Sequence, residues 1–467
     1  MKKKLIAIGV MCALVAAFIA GYFFLWEEAE PPYAGPEDLV YLFRYERPPL
    51  SILLESEGNE PFTLVRLDYD PQRNLTTDST IEGKEDLPLD TARISGVLSA
   101  SRNLVFLELV HERVDDLSVF GLAPPRGRVV LDFEEFGSRT LLIGDIAPGN
   151  IGVYVMLDAS PAIYLCPLYT VDNFLRPYLD YLNMNITPAS GWPIDFDTMT
   201  FGGRVRQSTG EITLVTDEEG IRLDLPIRHE LNPYVGPGIL HSVFGMQAIG
   251  IAIAQPSGAD LADFGFDDPW AWVCVAGGEG GDFTLYATEP DAGGMVFLYR
   301  EGVPLLYMAM ANDLPWLDVQ FYELMLPFAV SPLLEELYRI EVLSLRGIVS
   351  SGYSFTIEHG QDEVAILFED TQLDVDNFRR FFITLTSASL EYVEDHSNHQ
   401  PQDPEIIFIY RYRTGQERRV IFFPSDIPLR HFIQVDDGMI FLVPSSYVER
   451  VVTDLGRVIS GQHVEAY

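Results

Sequence analysis

Two stretches of the sequence carry residues able to hold a metal ion. EDHSNH sets Asp395 beside His396 and His399, and an H-x-x-H pair offers two nitrogen ligands that a carboxylate can complete. The surrounding NHQPQDP reads as a polar loop between strands, so the three residues are taken as solvated. DTQLDVDN gathers Asp370, Asp374 and Asp376, as a calcium loop would. Counted from Asp370, an EF-hand needs Gly at the sixth position and Glu at the twelfth, where Val375 and Phe381 stand. An apolar helix begins directly afterwards, and N-capping by one Asp accounts for the cluster. AGGEGGDF, Ala276 to Phe283, has the glycines of a phosphate loop without its Lys and Ser/Thr, and reads as a hairpin turn. No GxSxG elbow or HExxH helix occurs. Paired acids are too numerous for a glycosidase pair to be singled out. No catalytic, metal or cofactor residue is assigned, and no cofactor is expected.

The composition sets the frame for these residues. A chain of 467 residues suggests two or three domains, and 48% hydrophobic content suffices for large cores. The formal net charge is −38, from 69 acidic and 31 basic residues. Met1 to Trp26 holds three Lys and no acid, so the remainder has 28 basic against 69 acidic residues, a balance of −41. Such a surface repels phosphates, which excludes nucleic acid as a partner.

Leu5 to Trp26 is a run of 22 residues without a charge. As a helix it would span roughly 33 Å, enough for the ~30 Å hydrocarbon layer. Tyr22 and Trp26 fall at its outer end, and Lys2, Lys3 and Lys4 hold the short N-terminus in the cytoplasm. The expectation is an uncleaved single-pass anchor in the cell membrane with the rest extracytoplasmic. Cleavage after Val15 and Ala17 is the alternative. Met11 before Cys12 argues against lipoprotein processing. Outside the span stand Cys166 and Cys274, too few for a disulfide framework and silent on whether they pair.

The strongest pattern is a repeat. GVYVMLDASPAIYLCP (Gly152 to Pro167) returns as MVFLYREGVPLLYMAM (Met295 to Met310), with Val153, Pro161 and Tyr164 recurring 143 residues later as Val296, Pro304 and Tyr307. Asp158 becomes Glu301 and Tyr154 becomes Phe297. Upstream, DLSVFGLAPP matches DLADFGFDDP at an offset of 144, pairing Phe120, Gly121 and Pro125 with Phe264, Gly265 and Pro269. One deleted residue explains the change of offset. Phe120 and Phe264 are expected to be buried at equivalent places, with the glycines allowing tight turns.

Each copy opens with alternating strands and continues to a helix. Asp90 can cap a helix with the apolar face Ile94, Val97 and Leu98, followed by a strand over Asn103 to Val110. Ile239, Leu240, Val243 and Phe244 form the second helix face, followed by a strand over Gln247 to Ala254. A third copy, lacking the Phe-Gly-x-x-x-Pro block, ends the chain: Val375, Phe378, Phe382 and Leu385 mark its helix. Pro444 and Val448 stand where Pro167 and Val171 stood. Punctuation at Thr187 to Pro193 and Leu326 to Pro332 divides the chain into 1–33 (stub, anchor and linker), 34–189, 190–330 and a divergent 331–467. The fold class expected is α+β: an N-terminal transmembrane helix, then tandem, mostly antiparallel sheets with short helices on one face.

FGLAPPRGRVVLDF, LLIGD, GVYVMLDASPAIYLCP and VDNFL together resemble the pattern of domain-of-unknown-function family 4340, best over Asp115 to Leu179. The resemblance implies structural landmarks and no carried-over catalytic residue. It also implies a bacterial protein with one N-terminal anchor, often encoded beside a transporter resembling the gliding-motility ABC system. The function expected is therefore a non-catalytic extracytoplasmic scaffold with a protein partner in an ABC-type transport system. The alternatives are a cell-envelope hydrolase or carbohydrate-binding enzyme, and a surface adhesion module.

Overall fold

The computed structural model describes residues 40–465 except 74, 159, 190, 192–193, 219, 279, 345–350, 361–363 and 395–402. The span from Leu5 to Trp26 and the cluster Asp395, His396 and His399 lie outside the described residues. Among the described residues no helix is long and apolar enough to cross a membrane. The chain divides into two compact bodies, Met1–Asn183 and Met184–Tyr467.

The first body holds β1 (Tyr41–Arg44), β2 (Ser51–Ser56), β3 (Phe62–Asp70), β4 (Leu75–Ile81), β5 (Asn103–Val105), β6 (Glu108–His111), β7 (Gly127–Phe133), β8 (Gly137–Ile146), β9 (Val153–Leu157) and β10 (Ile163–Cys166). Helix α1 (Thr91–Ala100) lies between β4 and β5. The main sheet has the order β4-β3-β2-β7-β8-β9-β10-β6, with β1 and β5 paired separately. The single strand expected over Asn103 to Val110 is thus broken. Its first half bonds to β1 and its second half to β10, and the chain turns at Phe106 and Leu107 to serve both.

The second body contains two sheets. One comprises β11 (Thr198–Gly202), β12 (Ile212–Asp217), β13 (Gly220–Leu225), β14 (His229–Glu230), β15 (Gly250–Ala254), β16 (Ala271–Ala276), β17 (Phe283–Ala287), β18 (Met295–Arg300) and β19 (Leu305–Met310), ordered β14-β13-β12-β11-β16-β17-β18-β19-β15. The other comprises β20 (Leu337–Ser344), β21 (Ser351–His359), β22 (Val364–Phe368), β23 (Thr371–Leu373), β24 (Ile406–Tyr412), β25 (Glu417–Pro424), β26 (Arg430–Val435) and β27 (Ile440–Pro444), ordered β23-β22-β21-β20-β24-β25-β26-β27. Helices α2 (Gly236–Val243), α3 (Gly258–Asp263), α4 (Val375–Thr386) and α5 (Ser445–Ile459) complete this body.

All three sheets follow one plan. Three strands in the first sheet and four in the others run outward, a helix follows, and the chain returns to the inner strand's free side to lay down four more. Pairing is antiparallel throughout the described residues. The first two copies also share register. Val129 faces Leu141 as Val273 faces Leu285, at an offset of 144, while Val155 faces Tyr164 as Leu298 faces Tyr307, at 143. The deleted residue therefore falls in the connection from β8 to β9, where the longer first copy carries a bulge between Ile143 and Ile146.

One sheet face packs on the helices. Asp90 and Asp374 cap α1 and α4 by accepting the Arg93 and Asn377 amides at 2.9 and 2.7 Å. Ile94, Val97 and Leu98 are buried, as are Ile239, Leu240 and Val243. Phe378 and Phe381 of α4 meet the ring of Phe355 on β21. Between α4 and α5 the buried Asp454 is held by Arg450, Arg457 and the Thr384 hydroxyl at 3.0–3.4 Å, a satisfied charge that fixes how the two helices meet. In the second sheet the buried Arg206 donates to the carbonyls of Gly202, Trp316 and Val319 at 2.7–3.1 Å. Burial lowers its guanidinium to about 10, still charged at neutral pH.

The opposite face is covered by the repeated Phe-Gly segment. Phe120 sits edge-on to Tyr154 with centroids 5.0 Å apart, and Phe264 edge-on to Phe297 at 4.6 Å. Both phenylalanines are half-buried rather than buried as expected, because each lies as a lid on the sheet with its outer side in solvent. The third copy lacks this block. There Val393, Ile421 and Ile427 pack over Phe423, Phe432, Ile440 and Leu442 instead.

Edge-to-face pairs of this kind contribute about 0.5–1.5 kcal/mol beyond the area they bury. A double-mutant cycle on Phe264→Ala and Phe297→Ala, read by denaturant unfolding, is expected to give a coupling in that range. A coupling of zero would reduce the lid to area burial alone.

Candidate interaction site

The outermost groups of each sheet need partners, and the segments linking the sheets supply them. In the first body the Asp90 amide donates to the Tyr181 carbonyl at 2.9 Å and the Asn183 amide to the Pro88 carbonyl at 2.8 Å. These bonds flank the bridge Leu89–Leu182. In the second body the Asn232 amide donates to Leu324 at 2.7 Å and the Leu326 amide to Glu230 at 2.8 Å, around the bridge Leu231–Met325. The linker residues are 143 apart and the receiving leucines 142 apart.

Each linker then bonds onward to the segment that follows the helix of the next copy. Ile186 donates to Met246 and Ala248 to Met184, both at 2.8 Å, around Asn185–Gln247. Ala329 donates to Ala388 at 3.0 Å and Leu390 to Pro327 at 2.8 Å, around Phe328–Ser389. In the first copy β1 fills this second role, with Phe106 donating to Val40 at 3.1 Å. Within the second body, hydrogen bonding therefore runs from β14 through 324–329 and 388–391 to β27, where Glu391 bridges Leu442. The Leu326–Pro332 stretch, legible only as punctuation, is a strand-like splint.

A cleft of about 860 Å³ opens beside this splint. Several of its charged groups meet partners at its walls: Arg418 reaches Asp436 at 2.7 Å, Arg222 pairs with Asp217, and Glu230 accepts from the Ser331 hydroxyl. His229 lies at its base, 8% exposed, with Nε2 at 2.9 and 3.0 Å from the Leu326 and Phe328 carbonyls. Two carbonyl partners require Nε2 to carry the proton, so the ring staples the splint and has no proton-accepting role at that atom. Burial holds the imidazole below its ordinary value, and the carbonyl bonds and nearby Glu230 oppose this while Arg418 adds to it.

The ten sequence landmarks do not gather at one place: in each of the first two copies the Phe-Gly-x-x-x-Pro block covers one sheet face, while Tyr164 and Tyr307 stand opposite Val155 and Leu298, next to the lid partners Tyr154 and Phe297 and so on the other face. Phe120 and Phe264 are the lids already described. Gly121 and Gly265 have φ of +65° and +88°, and at Gly121 a Cβ would run into the Asp145 carboxylate. Leu122 bridges Pro125, and the Pro269 carbonyl accepts from Arg204 at 3.1 Å. Pro161 is exposed in the β9–β10 turn, and the Pro304 carbonyl accepts from Gln255 at 2.8 Å. Tyr164 is half-buried against Phe106, whereas Tyr307 is fully buried, which raises its phenol to about 12. Asp370 and Asp376 are exposed and Asp374 is spent on the cap. Cys166 and Cys274 are free thiols, and burial pushes Cys166 up to about 12, which makes it unreactive. Sequence reasoning missed His229 and the linker strands. The one available signal was the recurrence of Leu182 and Asn185 as Met325 and Phe328 at the repeat's own offset.

Residues 80–257 match the family model described as Domain of unknown function (DUF4340). The match contains the motifs that suggested this family and runs from the end of β4 past β15, through the first linker. No curated protein and no solved structure matches the chain.

The pH response of the joint follows from His229. Above about 6.5, the ordinary imidazole value, both folded and unfolded states are neutral and the contribution is complete. As pH falls, the unfolded chain binds a proton that the folded joint resists, so stability is lost through the lowered folded value. The melting temperature is expected to fall between pH 6.5 and 5 more steeply in the native protein than in His229→Gln. Parallel profiles would remove His229 from the acid response.

Proposed function

We propose that this chain is a membrane-anchored, extracytoplasmic scaffold that works by binding without turnover, as an accessory of an ABC-type transport system. The observation that carries the reading is what the repeat maintains. Its recurring residues serve lids, turns and strand joints, and chemistry grafted onto a scaffold would instead mark one copy apart. The cleft supports the same reading, since its Asp217 and Asp436 carboxylates face arginines and its histidine staples backbone. The charge-free span from Leu5 to Trp26 supports the anchor, and a tether beside a transporter lets modest contacts suffice. The family resemblance supports the transport setting.

The test compares the full-length protein with a form lacking Leu5 to Trp26. The full-length protein is expected to stay in membranes through carbonate washing and to co-purify with transporter subunits, and the truncated form to wash free. Replacing His396 and His399 together is expected to leave both behaviours unchanged. Full activity in the secreted form, with loss on replacing the His pair, would replace this reading with a soluble metal-dependent enzyme.

A further inference from the structure

The register of the repeat shows which positions of the third copy depart from the other two. His431 of β26 faces Val443 as Val153 faces Cys166 and Val296 faces Ala309. Val153 and Val296 are 1% and 0% exposed, so the third copy sets an imidazole where the others bury a valine. Ser445, which opens α5 after Pro444, stands where Leu168 and Ala311 stand. Glu405 precedes Ile406, which faces Phe422 as Gly127 faces Ile143 and Ala271 faces Ala287, so it takes the place of Arg126 and Trp270. At these three positions the earlier copies carry no hydroxyl, imidazole or carboxylate, and the third carries one of each.

The three side chains meet. His431 Nδ1 lies 2.9 Å from the Ser445 hydroxyl, and its Nε2 lies 3.4 Å from the Glu405 carboxylate. A carboxylate only accepts, so Nε2 carries the proton and Nδ1 is left to accept from Ser445. In that tautomer an imidazole can take a serine's proton, and contacts of this kind are commonly loose before substrate arrives. The Glu405 and His431 side chains are 12% and 15% exposed, so solvent screens their interaction little. The adjacent Arg430 is engaged by Glu391 at 2.7 Å. Ser445 is half-buried, and its amide donates at 2.9 Å to the carbonyl of Leu429, a residue 78% exposed. Pro444, at the N-cap of the 15-residue α5, supplies no side-chain acceptor to the first-turn amides.

We propose that Ser445 is a nucleophile that accepts an acyl group from an uncharged, activated ester, with His431 as its base and Glu405 positioning the imidazole. Ser445 Oγ attacks the ester carbonyl while its proton passes to His431 Nδ1. The charge that develops on the carbonyl oxygen is met by the first-turn amides of α5. The bond from the carbonyl carbon to the leaving alcohol then breaks, and the alcohol takes the proton from His431. The products are an acylated Ser445 and a free alcohol. A chain at −38 repels anionic esters, and exposed Leu429 offers an acyl chain an apolar surface. One acyl group per chain needs no turnover. The site goes beyond the scaffold reading and does not rest on it, since that reading concerns what the copies share and the site what the third alone carries.

The experiment treats full-length protein in detergent with p-nitrophenyl butyrate and follows nitrophenolate release and peptide masses. The native protein is expected to give a stoichiometric burst of nitrophenolate and to carry a butyryl group on Ser445. Ser445→Ala is expected to abolish the burst, and Ser460→Ala, at the far end of α5, to leave it unchanged. His431→Gln is expected to slow acylation by about 100-fold or more, as loss of a general base does. Glu405→Gln is expected to slow it and to move its pH profile downward at an unchanged melting temperature, which loss of a merely structural carboxylate would not do. Continued release that needs Ser445 would support the site and overturn only the absence of turnover in the scaffold reading. The proposal would be overturned by a native protein that gives no burst, or by butyryl groups forming on other exposed serines as fast as on Ser445. Acylation of Ser445 at the native rate in His431→Gln would overturn it equally.

Discussion

An antiparallel sheet ends in a strand whose outward amides and carbonyls still need partners, and that requirement organises this chain. A closed barrel would remove the edges, but the eight- and nine-stranded open sheets of this order do not close. The linkers answer the need instead. In the second body the linker lies along the outer edge of the nine-stranded sheet and then along the segment that follows the helix of the next copy. One short stretch thereby serves as partner, spacer and splint. In the second body this puts a nine-stranded and an eight-stranded sheet into one hydrogen-bonded path, and His229 reinforces it from the side.

With the edges settled, each sheet must still cover two faces. The helix-bearing face is handled in all copies by apolar helix stripes, with side-chain caps at Asp90 and Asp374 in the first and third. The other face is handled twice by a phenylalanine lid and once by different means. Phe120 on Tyr154 and Phe264 on Phe297 use a half-buried ring to shield a strand pair. In the third copy a cluster around Phe432 and Leu442 is roofed by Val393 and Ile427. What persists across copies is the need to cover the strands leading to the last hairpin. The residues that do so are free to change, so the third copy could lose its Phe-Gly block and keep its strand order.

Much of this was legible because turns and faces leave local marks. Positive φ at Gly121 and Gly265, the helix faces at Ile94 and Ile239, and the Asp374 cap all follow from spacing and residue type. The depth of Phe120 was not legible, since an aromatic residue in a repeated block reads the same whether it fills a core or roofs a sheet. The broken strand at Phe106 was hidden for a related reason. Its alternation continues across the break, while its hydrogen-bond partners change from β1 to β10. The linkers were the least legible, because strand addition uses backbone groups and asks little of side chains. Leu182 and Met325 share only apolarity, and Asn185 and Phe328 not even that.

The acidic surface bears on how such edges are kept safe. A chain at −38 repels its own copies, and unpaired edges are otherwise templates for indiscriminate pairing. At physiological ionic strength the repulsion is screened beyond about 8 Å, so it resists misplaced contacts at close range without acting over long distances. A strand can settle only where its bonds and an apolar contact outweigh the local charge. At Leu89 and Leu231 the incoming strand is covalently continuous with the chain, which raises its effective concentration and makes the outcome certain.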